Sequence, residues 1–164
     1  MAREVERKFL VADDSWRGTA GAGTTLRQAY LTQGQLASVR IRTVDASTAF
    51  LTVKSAEPGL SRTEYEYAIP VADAEAMFRL RTGSILEKVR FPVPHAGRKW
   101  EVDVYLADNE GLIVAEIELP SEADAVELPA WVGGEVTGDA RYYAAALAHS
   151  PFRSWPAAEL RAAR

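Results

Sequence analysis

Charged side chains recur at every second position in seven segments of the chain, and apolar side chains fill most positions between them. In the opening segment, Glu4, Glu6 and Lys8 alternate with Val5, Arg7 and Phe9. The other six segments are SVRIRT, FLTVK, RTEYE, KVR, EVDV and AEIEL. Successive side chains of a β-strand point to opposite faces, so each segment is predicted to be a strand with one ionic face and one apolar face.

Turn and cap signals divide these strands and predict their connections. Gly97 and the segment 108–111 are typical of hairpin turns, which indicates an antiparallel meander. Asp13 can cap a brief helix through Trp16. The run DAEAMFRLR is predicted to be an amphipathic helix that covers the outside of the sheet and ends by Gly83. After Pro120 the pattern changes to helix, through SEADAVEL, DARYYAAALA and SWPAAELRAAR.

The predicted ionic face carries like charges at neighbouring positions, with eight acids and seven bases in all. Like charges side by side repel, so the pattern favours ligands of opposite sign: an anion beside the Arg and Lys pairs and a metal beside the Glu pairs. A sheet closed into a barrel with a polar interior would enclose such ligands and remove the unpaired edges. The alternative is an open sheet whose charged face is solvated.

Composition narrows the classes of function. The chain has 164 residues, 48% of them apolar and 26% charged, which suits one domain with an ordinary core. A net charge of −4 argues against a nucleic-acid partner held by bulk charge. With no cysteine, any metal site must use oxygen ligands, which suit Mg²⁺ or Mn²⁺. No apolar stretch of about 18 residues and no signal-peptide pattern occurs, so we expect a cytoplasmic protein without a membrane partner.

Eight motifs in order give a specific resemblance. The opening EVERK is similar to the ExExK motif of the CYTH family, the triphosphate tunnel metalloenzymes. The later segments RQAYL, VRIR, LTVK, RTEYE, KVR, WEVDVY and VAEIEL resemble its successive tunnel strands, and GEVTGDARYY resembles its closing motif. The resemblance implies an α+β, mainly β fold: an eight-stranded antiparallel β-barrel tunnel with a charged interior and helices packed outside. It implies a single domain over residues 1–164, with a core at about 3–148 and a helical tail at 149–164.

The resemblance also implies roles for the charged residues. The residues that resemble its metal ligands, for Mg²⁺ or Mn²⁺, are Glu4, Glu6, Glu116, Glu118 and Asp103. The residues that resemble its phosphate cradle are Lys8, Arg40, Arg42, Lys54, Arg62, Lys88 and Arg90, with Lys8 and Lys88 as candidates for proton transfer. Supporting positions, which orient the bases or form the wall, are Glu64, Glu66, Glu101 and Tyr30.

The implied activity is metal-dependent hydrolysis of a triphosphate, with inorganic tripolyphosphate cleaved to pyrophosphate and phosphate as the leading hypothesis, as in short bacterial-type inorganic triphosphatases. Three alternatives stay open: a class IV-type adenylate cyclase, a thiamine or nucleoside triphosphatase, and a noncatalytic polyphosphate-binding module. The partner is therefore expected to be a small molecule such as tripolyphosphate, ATP or thiamine triphosphate. The pattern leaves the choice between a monomer and a homodimer open.

Overall fold

An antiparallel sheet makes up most of the protein. The computed structural model describes residues 2–56 and 61–163, with side chains described for 5–56 and 63–163. Within those ranges the strands are β1 Ala2–Val11, β2 Thr24–Gln33, β3 Ala37–Val44, β4 Thr48–Ser55, β5 Ser61–Ile69, β6 Thr82–His95, β7 Arg98–Tyr105, β8 Ile113–Leu119 and β9 Val132–Glu135. The sequence prediction of a mainly β, antiparallel fold is confirmed.

The strand order is β5-β4-β3-β2-β6-β7-β8-β1-β9, and β5 also pairs with β1. That second pairing runs from Ala2 opposite Glu64 to Val5 opposite Ser61 and links the two ends of the eight-strand order. The later part of β1 pairs instead with β9, where Phe9 lies opposite Glu135. The predicted tunnel strands are therefore all present, and β9 is an additional short strand within a region predicted to be helical.

The hairpin between β6 and β7 follows the predicted turn chemistry. Ala96 and Gly97 both have positive φ, at 48° and 73°, as a two-residue type I′ turn requires. His95 and Arg98 then pair directly across the turn. This turn fixes the register of the two strands that carry much of the charged inner wall.

Helices in the described part of the chain are short. The α-helices are α1 Val71–Met77, α2 Ala144–Leu147 and α3 Ala157–Ala162, and 3-10 helices cover Asp14–Gly18, Phe78–Leu80, Ala107–Asn109, Ala140–Tyr142 and Phe152–Ser154. Asp13 caps the first of these, as predicted, by accepting from the backbone N–H of Ser15 at 2.8 Å. None of the described helices has the length and apolar character needed to cross a membrane.

The apolar faces of the strands point outward and are covered by helices and loops. Ala74 of α1 and Phe78 pack against Ile41 on one side of the sheet. On another side, Trp16 and Trp100 belong to a second buried cluster. The usual arrangement of an apolar interior is therefore inverted, because the charged faces of the same strands are left facing inward.

The segment 121–128, SEADAVEL, differs in secondary structure from the sequence prediction. It was predicted to be helical, but beyond a turn near its start it forms no regular element. Pro120 and Pro129 bracket the segment, and Val126 and Trp131 are held against the outer apolar cluster. Packing of Val126 and Trp131 against this cluster overrides the helix propensity of the Ala, Glu and Leu residues in the segment.

The tail packs against the body of the protein. Phe152 and Trp155 are buried, and the Trp155 ring lies 5.2 Å from the rings of both Phe152 and Tyr142. The predicted helical character of the tail is present in α3 and in the short turn at Phe152–Ser154. These aromatic contacts tie the tail to the segment that carries the closing motif.

Trp100 is expected to be a main contributor to stability. Its side chain is fully buried, and its ring lies 5.5 Å from Phe9 and 5.7 Å from Trp131. Trp100→Ala should lower the free energy of unfolding by about 3–5 kcal/mol, because it removes a large apolar side chain and leaves a cavity. Urea unfolding followed by circular dichroism measures this. Exposed Leu80 supplies the control, since Leu80→Ala should change stability little, and an equally small effect at Trp100 would contradict the packing described.

Candidate active site

A cavity of about 400 Å³ lies inside the sheet, and its lining is dominated by charged side chains. Its charged lining residues are Glu6, Lys8, Arg40, Arg42, Lys54, Glu64, Glu66, Lys88, Arg90, Glu101, Glu116 and Glu118, and Tyr30 lines it as well. The alternation predicted that the charged residues share one face, and Tyr30 was predicted as a wall residue from its motif RQAYL. Asp103 is fully buried behind the lining. The side chains of Glu4 and Arg62 lie outside the described ones.

Arg90 is the centre of an ionic network on one wall. Its Nε and Nη2 donate to the two carboxylate oxygens of Asp103, each at 2.7 Å. Nη2 also donates to Glu116 at 2.7 Å, and Nη1 donates to Glu101. Asp103 accepts a further bond from the ammonium of Lys88. The acids come from β7 and β8, so this network holds one guanidinium in a fixed position across three strands.

The two buried lysines of the cavity differ in their electrostatics. Burial lowers the pKa of Lys88 below its ordinary value, and the nearby Arg90 acts in the same direction against the opposing effect of Asp103. Burial acts on Lys8 in the same sense, but Glu116 and Glu6 outweigh it and raise the pKa of Lys8. Lys8 lies 2.9 Å from Glu116, whose pKa is held well below the usual range by Lys8 and Arg90 despite its burial. Lys8 therefore stays charged, whereas Lys88 gives up its proton more readily than an exposed lysine.

The opposite wall is richer in arginine. Arg42 donates to Glu66 at 3.0 Å, and Arg40 donates to the hydroxyl of Thr52 at 3.3 Å. Thr52 in turn donates to the same Glu66 oxygen at 3.0 Å, so the two arginines share this carboxylate. Burial and the charge of Arg40 lower the pKa of Arg42. The two neighbouring guanidinium groups repel each other, and a bound anion would relieve this repulsion, so the wall is a suitable place for an anion.

Lys54 belongs to another ion pair of the cavity lining. Lys54 lies 2.7 Å from Glu64 on the neighbouring strand β5. In the register of β4 and β5 these two residues are directly opposite each other. Their pairing keeps the ammonium of Lys54 at the cavity wall close to the two arginines of β3.

Glu6 and Glu118 form a cross-strand pair of acids at the cavity. The register of β1 and β8 places them directly opposite each other, next to the pair formed by Lys8 and Glu116. Among the described side chains, no three His, Cys, Asp or Glu groups are gathered so as to hold a metal by themselves. Mg²⁺ is commonly bound by only one or two carboxylates, with phosphate oxygens and water at its other positions. The two opposed carboxylates fit a divalent ion of that kind.

Neutral polar residues of the lining were missing from the sequence prediction. Gln28 and Ser38 line the cavity, and so does Thr137. A signal existed for Gln28, because the alternation that puts Tyr30 inside also puts Gln28 inside. For Thr137 no such signal was available, because it follows β9 in a loop.

Part of the closing motif GEVTGDARYY lies at the cavity, where Thr137 and Tyr143 are among the lining residues. The Thr137 hydroxyl accepts from the backbone N–H of Lys8 at 2.9 Å, which fastens this segment to β1. The Lys8 ammonium lies 5.8 Å from the centre of the Tyr143 ring, within reach of a cation–π contact. Ala144 and Ala145 also line the cavity, so its edge here is made of small apolar side chains.

Comparison with known proteins gives consistent matches over almost the whole chain. A family model described as the CYTH domain matches residues 2–143. An inorganic triphosphatase of Acetivibrio thermocellus is 42% identical over 156 residues, which are 94% of this chain and 99% of that protein. An inorganic triphosphatase of Nitrosomonas europaea is 38% identical over 151 residues, which are 90% of this chain and 97% of that protein.

The fold has a counterpart among solved structures. The crystal structure of the inorganic triphosphatase NE1496 matches with a TM-score of 0.66 and 35% identity. The match covers 93% of this chain and 99% of that chain. Sequence and structure comparisons therefore agree on the same group of proteins.

Proposed function

The chain belongs to the CYTH domain family, and we propose that it is a divalent-metal-dependent hydrolase that cleaves inorganic tripolyphosphate to pyrophosphate and phosphate. The observation that carries this proposal is the cavity of about 400 Å³ in which basic side chains and carboxylates face one another. A compact polyanion with a bound divalent cation would be complementary to this lining, because its phosphates can pair with the basic side chains and its cation with the carboxylates. The two relatives named inorganic triphosphatase support the choice of substrate.

Basic side chains on two sides of the cavity bind the phosphate chain in this account. Arg40, Arg42 and Lys54 act on the arginine-rich wall, and Lys8, Lys88 and Arg90 act on the opposite one. A guanidinium suits paired phosphate oxygens because of its planar fork, and an ammonium supplies a compact charge. Because carboxylates already hold these groups in place, little reorganisation is needed when charge develops on the transferring phosphoryl group. Arg62 belongs to the same proposal on the strength of its motif.

Carboxylates divide into two roles. Glu6 and Glu118 would hold Mg²⁺ or Mn²⁺, and the ExExK motif adds Glu4 to this set. When bound, the metal would neutralise phosphate charge and lower the pKa of a bound water. Glu116 has Oε1 2.9 Å from Lys8 and Oε2 2.7 Å from Arg90, so in our proposal it orients these two bases rather than binding the metal through a free oxygen. Asp103, whose oxygens are occupied by Lys88 and Arg90, orients these bases in our proposal rather than binding metal.

Supporting residues keep the basic groups apart and in position. Glu66 holds the two arginines of β3, Glu64 holds Lys54, and Glu101 holds Arg90. Without these carboxylates, the enclosed bases would repel one another before substrate arrives. Tyr30 forms part of the wall.

Lys88 is the better candidate of the two lysines for proton transfer. Its lowered pKa makes the neutral amine more accessible, whereas the raised pKa of Lys8 suits a permanent phosphate contact. Lys88→Met should therefore lower kcat by about 10²-fold or more. Lys8→Met should act more strongly on KM than on kcat. Steady-state kinetics on both variants measure the difference. If the two variants changed kcat and KM in the same proportion, the division of roles between Lys8 and Lys88 would be contradicted.

The test of substrate class is a parallel assay. Phosphate release is measured from tripolyphosphate, ATP and thiamine triphosphate with Mg²⁺, Mn²⁺ or EDTA, and the ATP reaction is checked for cyclic AMP. The proposal predicts the highest kcat/KM on tripolyphosphate and no cyclic AMP. A preference for thiamine triphosphate or ATP would favour an organic triphosphatase, and cyclic AMP would favour the cyclase. Tight binding without turnover would favour the noncatalytic module. A cytoplasmic location stays a prediction, and the choice between a monomer and a homodimer stays open.

A further inference from the structure

Gln28 on β2 is a buried polar residue of the cavity to which the roles above give no function. It is 1% exposed, and it lines the cavity. Neither its Nε2 nor its Oε1 has a hydrogen-bond partner among the described residues. Burying an amide without partners costs free energy, so the side chain has both a donor and an acceptor left for a ligand.

The neighbours of Gln28 point to the kind of ligand. In the register of β2 and β3, Gln28 is directly opposite Arg42. The Nε atoms of Arg42 and Arg40 are likewise buried without a hydrogen-bond partner in the described structure. On the other side, Gln28 is opposite Leu86, which makes Lys88 a diagonal neighbour. Unused N–H donors therefore gather on this part of the wall, where they suit the oxygens of an anion.

Simple filling of space does not account for a glutamine here. Two of the positions next to Gln28 on the same face are Leu26 on its own strand and Leu86 on β6, and these leucines are 4% and 0% exposed. An apolar side chain at position 28 would continue this packing without leaving polar atoms unsatisfied. A carboxylate would pair with Arg42 and repel phosphate, whereas a neutral amide offers a donor and an acceptor without changing the charge of the wall.

We propose that Gln28 contacts the substrate directly. Its Nε2 donates to a phosphoryl oxygen held by Arg42, and its Oε1 accepts from a water molecule beside that phosphoryl group. Phosphate oxygens are mostly acceptors, so a water molecule is the partner that satisfies Oε1. The inference rests on the proposed function, because it takes a triphosphate as the ligand, and it adds a residue that positions both the substrate and a water.

The test compares Gln28→Met with Leu26→Met, a volume-conserving change on the same face of the same strand that neither adds nor removes a hydrogen-bonding group. With tripolyphosphate and Mg²⁺, Gln28→Met is expected to lower kcat/KM by about 10- to 100-fold, the usual effect of losing a hydrogen bond to a charged group. KM should rise through the lost donor, and kcat should fall through the lost contact to water. Leu26→Met should keep both constants within about twofold.

Thermal unfolding separates this role from a structural one. Without substrate, Gln28→Met should melt at the wild-type temperature or above, because it removes unsatisfied buried atoms. The rise in Tm on adding tripolyphosphate with Mg²⁺ should be smaller than in the wild type. A lower Tm without substrate, together with an unchanged rise on adding it, would overturn the inference in favour of a structural role.

A second variant tests the amide donor itself. Gln28→Glu keeps the shape and an acceptor but loses the donor and adds negative charge beside Arg42, so KM should rise further than in Gln28→Met. A wild-type KM in Gln28→Glu would overturn the inference. If the wild type itself neither cleaves tripolyphosphate nor is stabilised by it, the proposed function fails and the inference falls with it. If the wild type is active and Gln28→Met behaves like it, only the inference fails.

Discussion

Glu118→Gln is expected to lower Mg²⁺-dependent turnover of tripolyphosphate by about 10²- to 10³-fold while leaving the fold intact. The change keeps the shape of the side chain but removes one of the two charges at the site where Glu6 and Glu118 lie opposite each other. A neutral amide is a much weaker ligand for a hard cation than a carboxylate. Steady-state phosphate release at several Mg²⁺ concentrations measures the loss. Glu6→Gln should lower turnover to a similar extent as Glu118→Gln.

The matched control for Glu118→Gln is Glu135→Gln on β9. Glu135 is exposed, pairs with Arg7 and accepts from the hydroxyl of Thr137, a bond that the Oε1 of glutamine can keep, and it is not itself part of the described cavity lining. Its loss should leave turnover unchanged within about twofold, since exposed ion pairs contribute little. Near-normal turnover in Glu118→Gln, or an equal loss in Glu135→Gln, would remove the basis for a metal site at these two acids.

Arg90→Met should reduce kcat/KM for tripolyphosphate by about 10³-fold, because a positioned arginine stabilises charge on a transferring phosphoryl group. It should also lower the free energy of unfolding by about 3–5 kcal/mol, since the fully buried Asp103 loses one of its two cationic partners. Kinetics and urea unfolding, both run at a temperature where the variant is folded, measure the two effects separately.

Arg27→Met is the control for the charge change at position 90. Arg27 is on β2 but pairs with Glu75 and Glu87 at partly exposed positions, and it is not part of the described cavity lining. Arg27→Met should lower the free energy of unfolding by at most about 1 kcal/mol and leave the kinetic constants near their wild-type values. Wild-type kcat/KM in Arg90→Met would mean that Arg90 serves the fold alone.

The alternation of charge predicted which strand positions share one face, but it left open whether that face lines a cavity or is exposed to solvent. Lys8, Arg40 and Lys88 share the cavity face because side chains of a strand alternate strictly, and a turn such as Ala96–Gly97 fixes the register between neighbours. The same rule predicted that the apolar faces would be covered from outside. These features are local, so one sequence contains the information for them.

The partners of each charge could not be predicted in the same way. Arg90 meets Glu101, Asp103 and Glu116, which come from two further strands, and this choice depends on how the curved sheet brings the strands together. The burial of Asp103 behind the cavity lining also depends on the curvature of the sheet. Alternation places Asp103 on the inner face but does not distinguish a ligand at the cavity from a buried partner of lysine and arginine.

The roles of neutral side chains and the structure of irregular segments could not be predicted from the sequence either. Thr52 bridges Arg40 and Glu66, yet a threonine on a strand carries no sign of such a role in the sequence. The short strand β9 formed because the edge of β1 beyond its pairing with β5 was available to it. Such choices are made by tertiary contacts, which outweigh local propensity.

Metal-dependent hydrolysis is tested most directly by ³¹P NMR of purified protein with tripolyphosphate, recorded with Mg²⁺, with Mn²⁺ and with EDTA. We expect tripolyphosphate to disappear only when metal is present, and pyrophosphate and phosphate to appear in equal amounts. Persistence of tripolyphosphate in the presence of either metal, or equal cleavage in EDTA, would contradict metal-dependent hydrolysis in this cavity.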